Sequence, residues 1–182
     1  MSPTSYQTAP PRIRDDSGVP GASQPSSPDS TDGRNDGSIW AVPPSLSIEP
    51  DSINATIAEL WPGRPHELVE LSATHAVGRM TVDQSTLRPG GYVPGPVQFG
   101  LADVVLWYLS FGVLDRLEPM ALTSELSIRF LRPGQGTILW ARADLERAGR
   151  TSMVGTVRVW MDAADDRPVS TAQGTYTLPR NS

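Results

Sequence analysis

The segment PVQFGLADVVLWYLSFGVL, Pro96 to Leu114, limits what this chain can fold into more than any other stretch. At helical spacing it is apolar on nearly every face, which predicts a helix buried all round. Its length would also suit a membrane span. Asp103 near the middle, Gly100, Gly112 and the lack of flanking cationic anchors argue instead for the core helix of a folded domain. Asp103 is then the problem the fold has to solve. A carboxylate in apolar surroundings is costly unless something hydrogen-bonds it or the protein uses it.

Strands surround this helix in the sequence. DSINATIAELW places Ile53, Ile57 and Leu60 at helical spacing, with a cap at Asp51 and a Pro-Gly stop after Trp61. HELVELSATHAVGRMTVD reads as extended, with Val69, Leu71 and Ala73 in alternation and a bend near Gly78; His75 within it reads as an ordinary strand residue. MALTSELSIRFLRPG alternates through Leu122, Ser124, Leu126, Ile128 and Phe130, and TILWARADLERAG, RTSMVGTVRVWMD and RPVSTAQGTYTLP continue as three more strands. The order predicts an α+β architecture, an antiparallel sheet wrapped around one central helix.

Composition removes several functions. The net charge is −5, against a broad nucleic-acid footprint, and all 15 basic residues are arginine. With no cysteine and only His66 and His75, thiolate chemistry and a histidine-based metal site are not expected. Residues 1–38 are dominated by Ser, Pro, Gly, Asp and Thr, a composition that cannot bury enough surface to order itself; they are expected to be a disordered tail before a domain at 39–182. The tail has no apolar core of a secretory signal, so a cytoplasmic location is expected and Asn54 in NAT is not read as a glycosylation site.

Four blocks carry a family resemblance. RPGGYVPGPVQFGLAD resembles the loop-and-helix signature of the hotdog-fold thioesterases of the phenylacetate-degradation and 4-hydroxybenzoyl-CoA kind. LSIRFLRPGQG is similar to their strand after the helix, ERAGRTSMVGTVRVW to the following hairpin, and STAQGTYTLP to the closing strand. The similarity runs from about Ile53 to Pro179. It implies a hotdog fold and hydrolysis of a medium-chain or aromatic acyl-CoA thioester. No cofactor is implied beyond the coenzyme A of the substrate, and no nucleic acid, membrane or metal. The implied assembly is a homodimer, able to pair into a homotetramer. A hotdog protein that only binds acyl ligands or assembles is the alternative; a dehydratase would need a histidine beside the glycine knot, and there is none. Three departures stand out: Pro94 replaces the usual histidine of the knot, Pro96 replaces its second glycine, and Arg88 stands where an amide side chain is common.

The resemblance assigns roles that elementary geometry constrains. A helix N-terminus offers free N–H groups and partial positive charge, and Gly95 there would let an acyl carbonyl come close. Pro94 and Pro96 have no N–H to give, whereas Gly95 and Val97 do. Asp103, the general base or nucleophile, lies eight residues on, about 12 Å along the axis. One helix cannot put both groups on one thioester carbon. Two antiparallel copies can, which implies a site shared across a two-fold dimer. Counting back from FLRP, Thr123 matches the hydroxyl that helps position water. Arg88, Pro94 and Val97 at the knot, and Arg132, Arg147, Arg150, Thr151 and Ser152, are the candidate substrate contacts, the arginines for coenzyme A phosphates. Trp107, Tyr108 and Phe111 either fill the core or line the acyl pocket.

Overall fold

The computed structural model of the protein describes residues 45–179, so the expected tail at 1–38 lies outside the described residues. Two α-helices and six strands follow in the order α1 (Pro50–Leu60), β1 (His66–Leu71), β2 (His75–Thr81), α2 (Gly95–Leu114), β3 (Leu122–Phe130), β4 (Ile138–Ala148), β5 (Ser152–Met161) and β6 (Ser170–Thr177). Every strand pairing is antiparallel, and the sheet runs β1-β2-β4-β5-β6-β3. Helix α2 packs against all six strands, the arrangement of the hotdog fold. Its Leu101, Val105, Leu106 and Leu109 are buried against Leu139, Ala141, Ala143, Val157 and Val159 of the central strands. Small residues let the helix sit close to the sheet. A Cβ at Gly155 or Gly174 would come within 2.8 Å of Leu106.

Four expectations need correction. Helix α1 starts at Pro50 behind Glu49 as N-cap, with no side-chain cap, and Asp51 lies in its first turn, where its charge suits the helix dipole. The bend expected near Gly78 is instead the turn Ser72–Thr74, where Ser72 Oγ accepts the N–H groups of Thr74 and His75. Gly78 sits inside β2 because α2 crosses there: a Cβ would stand 2.8 Å from Val105. Helix α2 is not buried all round. The sheet wraps only part of it, leaving Pro96, Phe99 and Gly100 exposed and Asp103, Val104 and Trp107 half-buried. Lastly, the alternation read along β3 breaks. A bulge between Thr123 and Glu125 shifts its register on β6, so Thr123 pairs with inward-facing Tyr176 while Leu126 and Ile128 pair with inward-facing Gly174 and Ala172. Thr123 therefore points at the helix, and Leu122 does not.

At the other side of the core, α2 meets a buried polar cluster. Arg64 Nη1 donates to the Tyr108 hydroxyl at 2.8 Å and to the His66 carbonyl, and Nη2 donates to the Asn54 backbone and side-chain oxygens at 2.9 and 3.2 Å. The Tyr108 hydroxyl and His66 Nδ1 are 3.0 Å apart. A guanidinium can only donate, so the phenol accepts from Arg64 and gives its own proton to Nδ1, which leaves the imidazole proton on Nε2. Burial, then the Arg64 charge, pulls His66 down to about 4, while burial pushes Tyr108 up to about 12 against the pull of Arg64. Both side chains are neutral at pH 7. Between pH 6.5 and 4 the unfolded chain takes up a proton at His66 that the folded chain refuses, so stability is full above about 6.5 and falls through this window. The expected loss is on the order of 2 kcal/mol, roughly 5 °C in Tm. Melting curves of the wild type and His66→Gln across that range check it: the difference between them should shrink as the pH falls.

Candidate active site

Asp103 is neither fully buried nor unpartnered. It lies half-buried on the open stripe of α2, and two hydroxyls hold one of its oxygens. Thr123 Oγ1 donates to Oδ1 at 2.8 Å, and the Tyr176 hydroxyl stands 2.7 Å from Oδ1 and 2.8 Å from the Asp103 carbonyl oxygen. Tyr176 is only 2% exposed. Burial above all, with the adjacent Asp103 carboxylate adding to it and the Thr123 hydroxyl opposing, holds its phenol well above the ordinary range, so it remains a donor at any working pH. Oδ2 has no hydrogen-bond partner among the described residues. The carboxylate is thus oriented through one oxygen and free at the other, an arrangement suited to taking a proton or attacking carbon.

The helix N-terminus forms a separate centre. Residues 88–92 make a tight turn closed by hydrogen bonds between Arg88 and Tyr92 and between Gly91 and Arg88, with Gly90 and Gly91 at positive φ. The Val93 N–H donates to the Gly134 carbonyl and Gln135 Nε2 to the Gly90 carbonyl, which ties the knot to the loop after β3. Between them lies a cleft of about 780 Å³ whose walls include Arg88, Tyr92, Gly95, Gln98, Phe130 and Arg132. The Val97 N–H is spent on the Pro94 carbonyl at 3.2 Å, whereas the Gly95 N–H makes no hydrogen bond among the described residues. The half-exposed Phe130 ring rests on Gly95, where a Cβ would lie 2.9 Å from it.

The proposed residues therefore fall into two groups at opposite ends of the domain. Gly95, Arg88 and Arg132 share the cleft, with Pro94 as the helix N-cap beside it and Val97 turned partly into the core. Asp103 and Thr123 meet at the start of β3. The hairpin carrying Arg147, Arg150, Thr151 and Ser152 lies at that second end, since Ser152 pairs with Thr177 and the Thr151 carbonyl accepts the Leu178 N–H. Tyr108 and Phe111 are core residues, while Trp107 is half-buried on the open stripe, stacked on Tyr108 and edge-to-face with Phe111. His75 stays in the β1–β2 turn region, bonded to Ser72 Oγ at 2.8 Å, with Glu70 3.7 Å from its other nitrogen. No cluster of metal-ligating side chains occurs among the described residues.

Sequence reasoning missed Tyr176 and Gln98. Tyr176 was legible as the last inward position of the Ala172, Gly174, Tyr176 alternation. Gln98 is 4% exposed and donates to the Val93 carbonyl at 3.2 Å, but its Oε1 has no partner among the described residues; Gln98 is part of the cleft wall.

The comparisons with known proteins agree with this fold. The sequence profile of the thioesterase superfamily matches residues 90–164, from the glycine knot into β5. A candidate thioesterase from Silicibacter sp. TM1040 is 30% identical over 74% of this chain and 94% of its own, with a TM-score of 0.65. The PaaI protein of the E. coli phenylacetic acid degradation operon is 22% identical over 70% of this chain and 92% of its own, at 0.55. A protein of Streptococcus mutans, solved with acetyl-CoA bound, is 21% identical over 66% and 94%, also at 0.55. No curated protein matches the chain in sequence. With the family profile, the 30% identical relative and the sheet wrapped on its central helix in place, the chain belongs to the thioesterase superfamily and is a thioester hydrolase on the hotdog fold.

Proposed function

We propose that the protein hydrolyses acyl-CoA thioesters of medium-chain or aromatic acids, at sites shared by two copies of the chain. The observation that carries the reading is Asp103 on the open stripe of α2, oriented through Oδ1 by Thr123 and Tyr176 and free at Oδ2. The acetyl-CoA bound in the Streptococcus mutans relative supports a coenzyme A thioester as the substrate class.

A second copy is called for by the surface as well as by the chemistry. Strand β3 is a sheet edge, and Phe99, Met120, Leu122, Phe130 and Leu131 along and beside it are exposed. Unpaired edges and contiguous apolar patches invite a partner. Pairing β3 with its two-fold mate would set the Phe130 end of one chain beside the Thr123 end of the other. Those ends lie seven residues apart, roughly 23 Å along the strand. The Gly95 cleft of one protomer then abuts Asp103 of its partner. The acyl carbonyl sits at the Gly95 N–H, where negative charge develops, and the open-stripe residues Phe99, Val104 and Trp107 receive the acyl chain. Water attacks the carbonyl carbon and passes its proton to Asp103 Oδ2. The tetrahedral adduct collapses to the acid and expels the coenzyme A thiolate, which takes up a proton. Direct attack by Oδ2, through an anhydride that water then opens, uses the same placement. Arginines of both ends, Arg88 and Arg132 from one chain and Arg147 and Arg150 from the other, flank the entrance for the phosphates.

Thiol release from a panel of acetyl-, octanoyl-, benzoyl- and phenylacetyl-CoA tests the substrate class. Octanoyl or aromatic thioesters should turn over at least about tenfold faster than acetyl-CoA in kcat/KM; a preference for acetyl-CoA, or no thiol release from any of them, would overturn it. Tyr176→Phe removes one of the two hydroxyls on Asp103 without changing the ring. It should lower kcat about tenfold, with KM nearly unchanged, as expected for a group that orients the base rather than binds substrate.

A further inference from the structure

A second cavity, of about 430 Å³, opens at the end of α1 against β1 and β2, with Asn54, Ala58, Trp61, Arg64, His66 and Arg79 on its walls. No α2 residue is among its lining residues; Arg64 links it to α2 by its hydrogen bond to Tyr108, five residues and roughly 140° around the helix from Asp103, so it is distinct from the thioester site.

Two independent features mark it as made for a ligand. The first is charge. All hydrogen bonds of Arg64 go to neutral acceptors, and no carboxylate pairs with it among the described residues. Glu67, the acid on the cavity wall, is taken by Arg79. The second is a pair of unmet donors. Arg64 Nε and His66 Nε2 are buried with no hydrogen-bond partner among the described residues, and the whole of His66 is only 7% exposed. The hydrogen-bond chain from Arg64 through Tyr108 fixes the imidazole proton on Nε2, so this atom is a donor waiting for an acceptor. Unmet buried donors are unfavourable, and the surroundings hold them in place for something. Trp61, also on the cavity wall, packs edge-to-face on His66 at 5.4 Å between ring centres. It is 53% exposed and precedes Pro62 and Gly63, the latter at φ 79, at the end of α1. Little packing holds it there.

We propose that this cavity is a second binding site, for a small organic carboxylate that neutralises Arg64 and accepts the His66 Nε2–H as Trp61 swings aside to stack on its apolar body. One uncompensated cation matches a monoanion; a phosphate dianion would leave excess negative charge beside Glu67. Ala58, Met80 and Ile138 supply apolar wall for the rest of the molecule.

The test uses the full chain, with benzoate as the probe, benzamide as its uncharged counterpart and inorganic phosphate as the competing anion. Titration calorimetry is run alongside nitrogen-15 spectra of the histidines. Benzoate should bind and shift the His66 Nε2–H resonance, with benzamide and phosphate each at least about tenfold weaker. Ala58→Trp fills the cavity mouth without touching the Arg64–Tyr108–His66 hydrogen bonds, and should weaken benzoate at least about tenfold. Asp103→Asn should leave binding unchanged, which separates this site from the thioester site. The proposal is overturned if benzoate fails to bind, if Ala58→Trp has no effect on it, or if phosphate or benzamide binds as well. Loss of binding in Asp103→Asn would place the benzoate at the thioester site and also overturn it.

Discussion

Asp103→Asn is expected to lower turnover by about 100-fold or more while the fold and the assembly persist. The amide keeps an oxygen that can accept from Thr123 and Tyr176, so the local geometry survives, but nothing basic or nucleophilic remains where Oδ2 stands. The effect should exceed that of Tyr176→Phe, because one change removes the reacting oxygen and the other removes one of two donors that aim it. Thermal stability should move little. A half-buried charge in an apolar helix costs solvation, and two charge-assisted hydrogen bonds return most of that cost. Single-turnover rates and melting curves on the same preparations check both statements. Wild-type rates would remove Asp103 from the mechanism; a large drop in Tm would make it a structural residue first.

That Asp103 had to be held was legible in the sequence, because a lone carboxylate in PVQFGLADVVLWYLSFGVL demands either a partner or a use. What holds it was only half legible. Period-two alternation from Leu126 through Phe130, carried back along the strand, puts Leu122 and Ser124 inward and turns Thr123 to solvent. The bulge at Ser124 reverses that phase and points Thr123 at Asp103. A bulge leaves no compositional mark, so only the family pattern pointed to Thr123. The half-exposure of α2 was hidden for a related reason. Hydropathy records that a side chain avoids water, not whether its own sheet or another chain removes it from water. Phe99 and Val104 read as core residues and Trp107 as core or pocket, yet all three lie on the stripe the sheet leaves open. The Arg64–Tyr108–His66 cluster was invisible because Tyr108 lies 44 and 42 residues along the chain from Arg64 and His66 and no local period connects them.

Co-expression of Gly95→Leu with Asp103→Asn is expected to restore activity that neither variant has alone. Within one chain the two centres are separate. Gly95 lies in the cleft at the Phe130 end of β3, and Asp103 is bound to Thr123 at its beginning. A thioester carbon can reach both only if they come from different protomers. Leucine at position 95 would push its Cβ against the Phe130 ring and fill the approach to the free Gly95 N–H, so each site of that homodimer is blocked. Each site of the Asp103→Asn homodimer lacks its base. In a mixed dimer with a two-fold axis, one site collects both lesions and the other has none, so each heterodimer should reach about half of wild-type activity. Random pairing makes about half of all dimers mixed, so the unfractionated pool should recover about a quarter. If Gly95 and Asp103 served the same site from one chain, every heterodimer site would carry one lesion and no activity would return. Rates measured on heterodimers isolated by two different affinity tags decide between these outcomes. Recovery toward half supports the cross-chain site, and its absence in confirmed heterodimers rejects it.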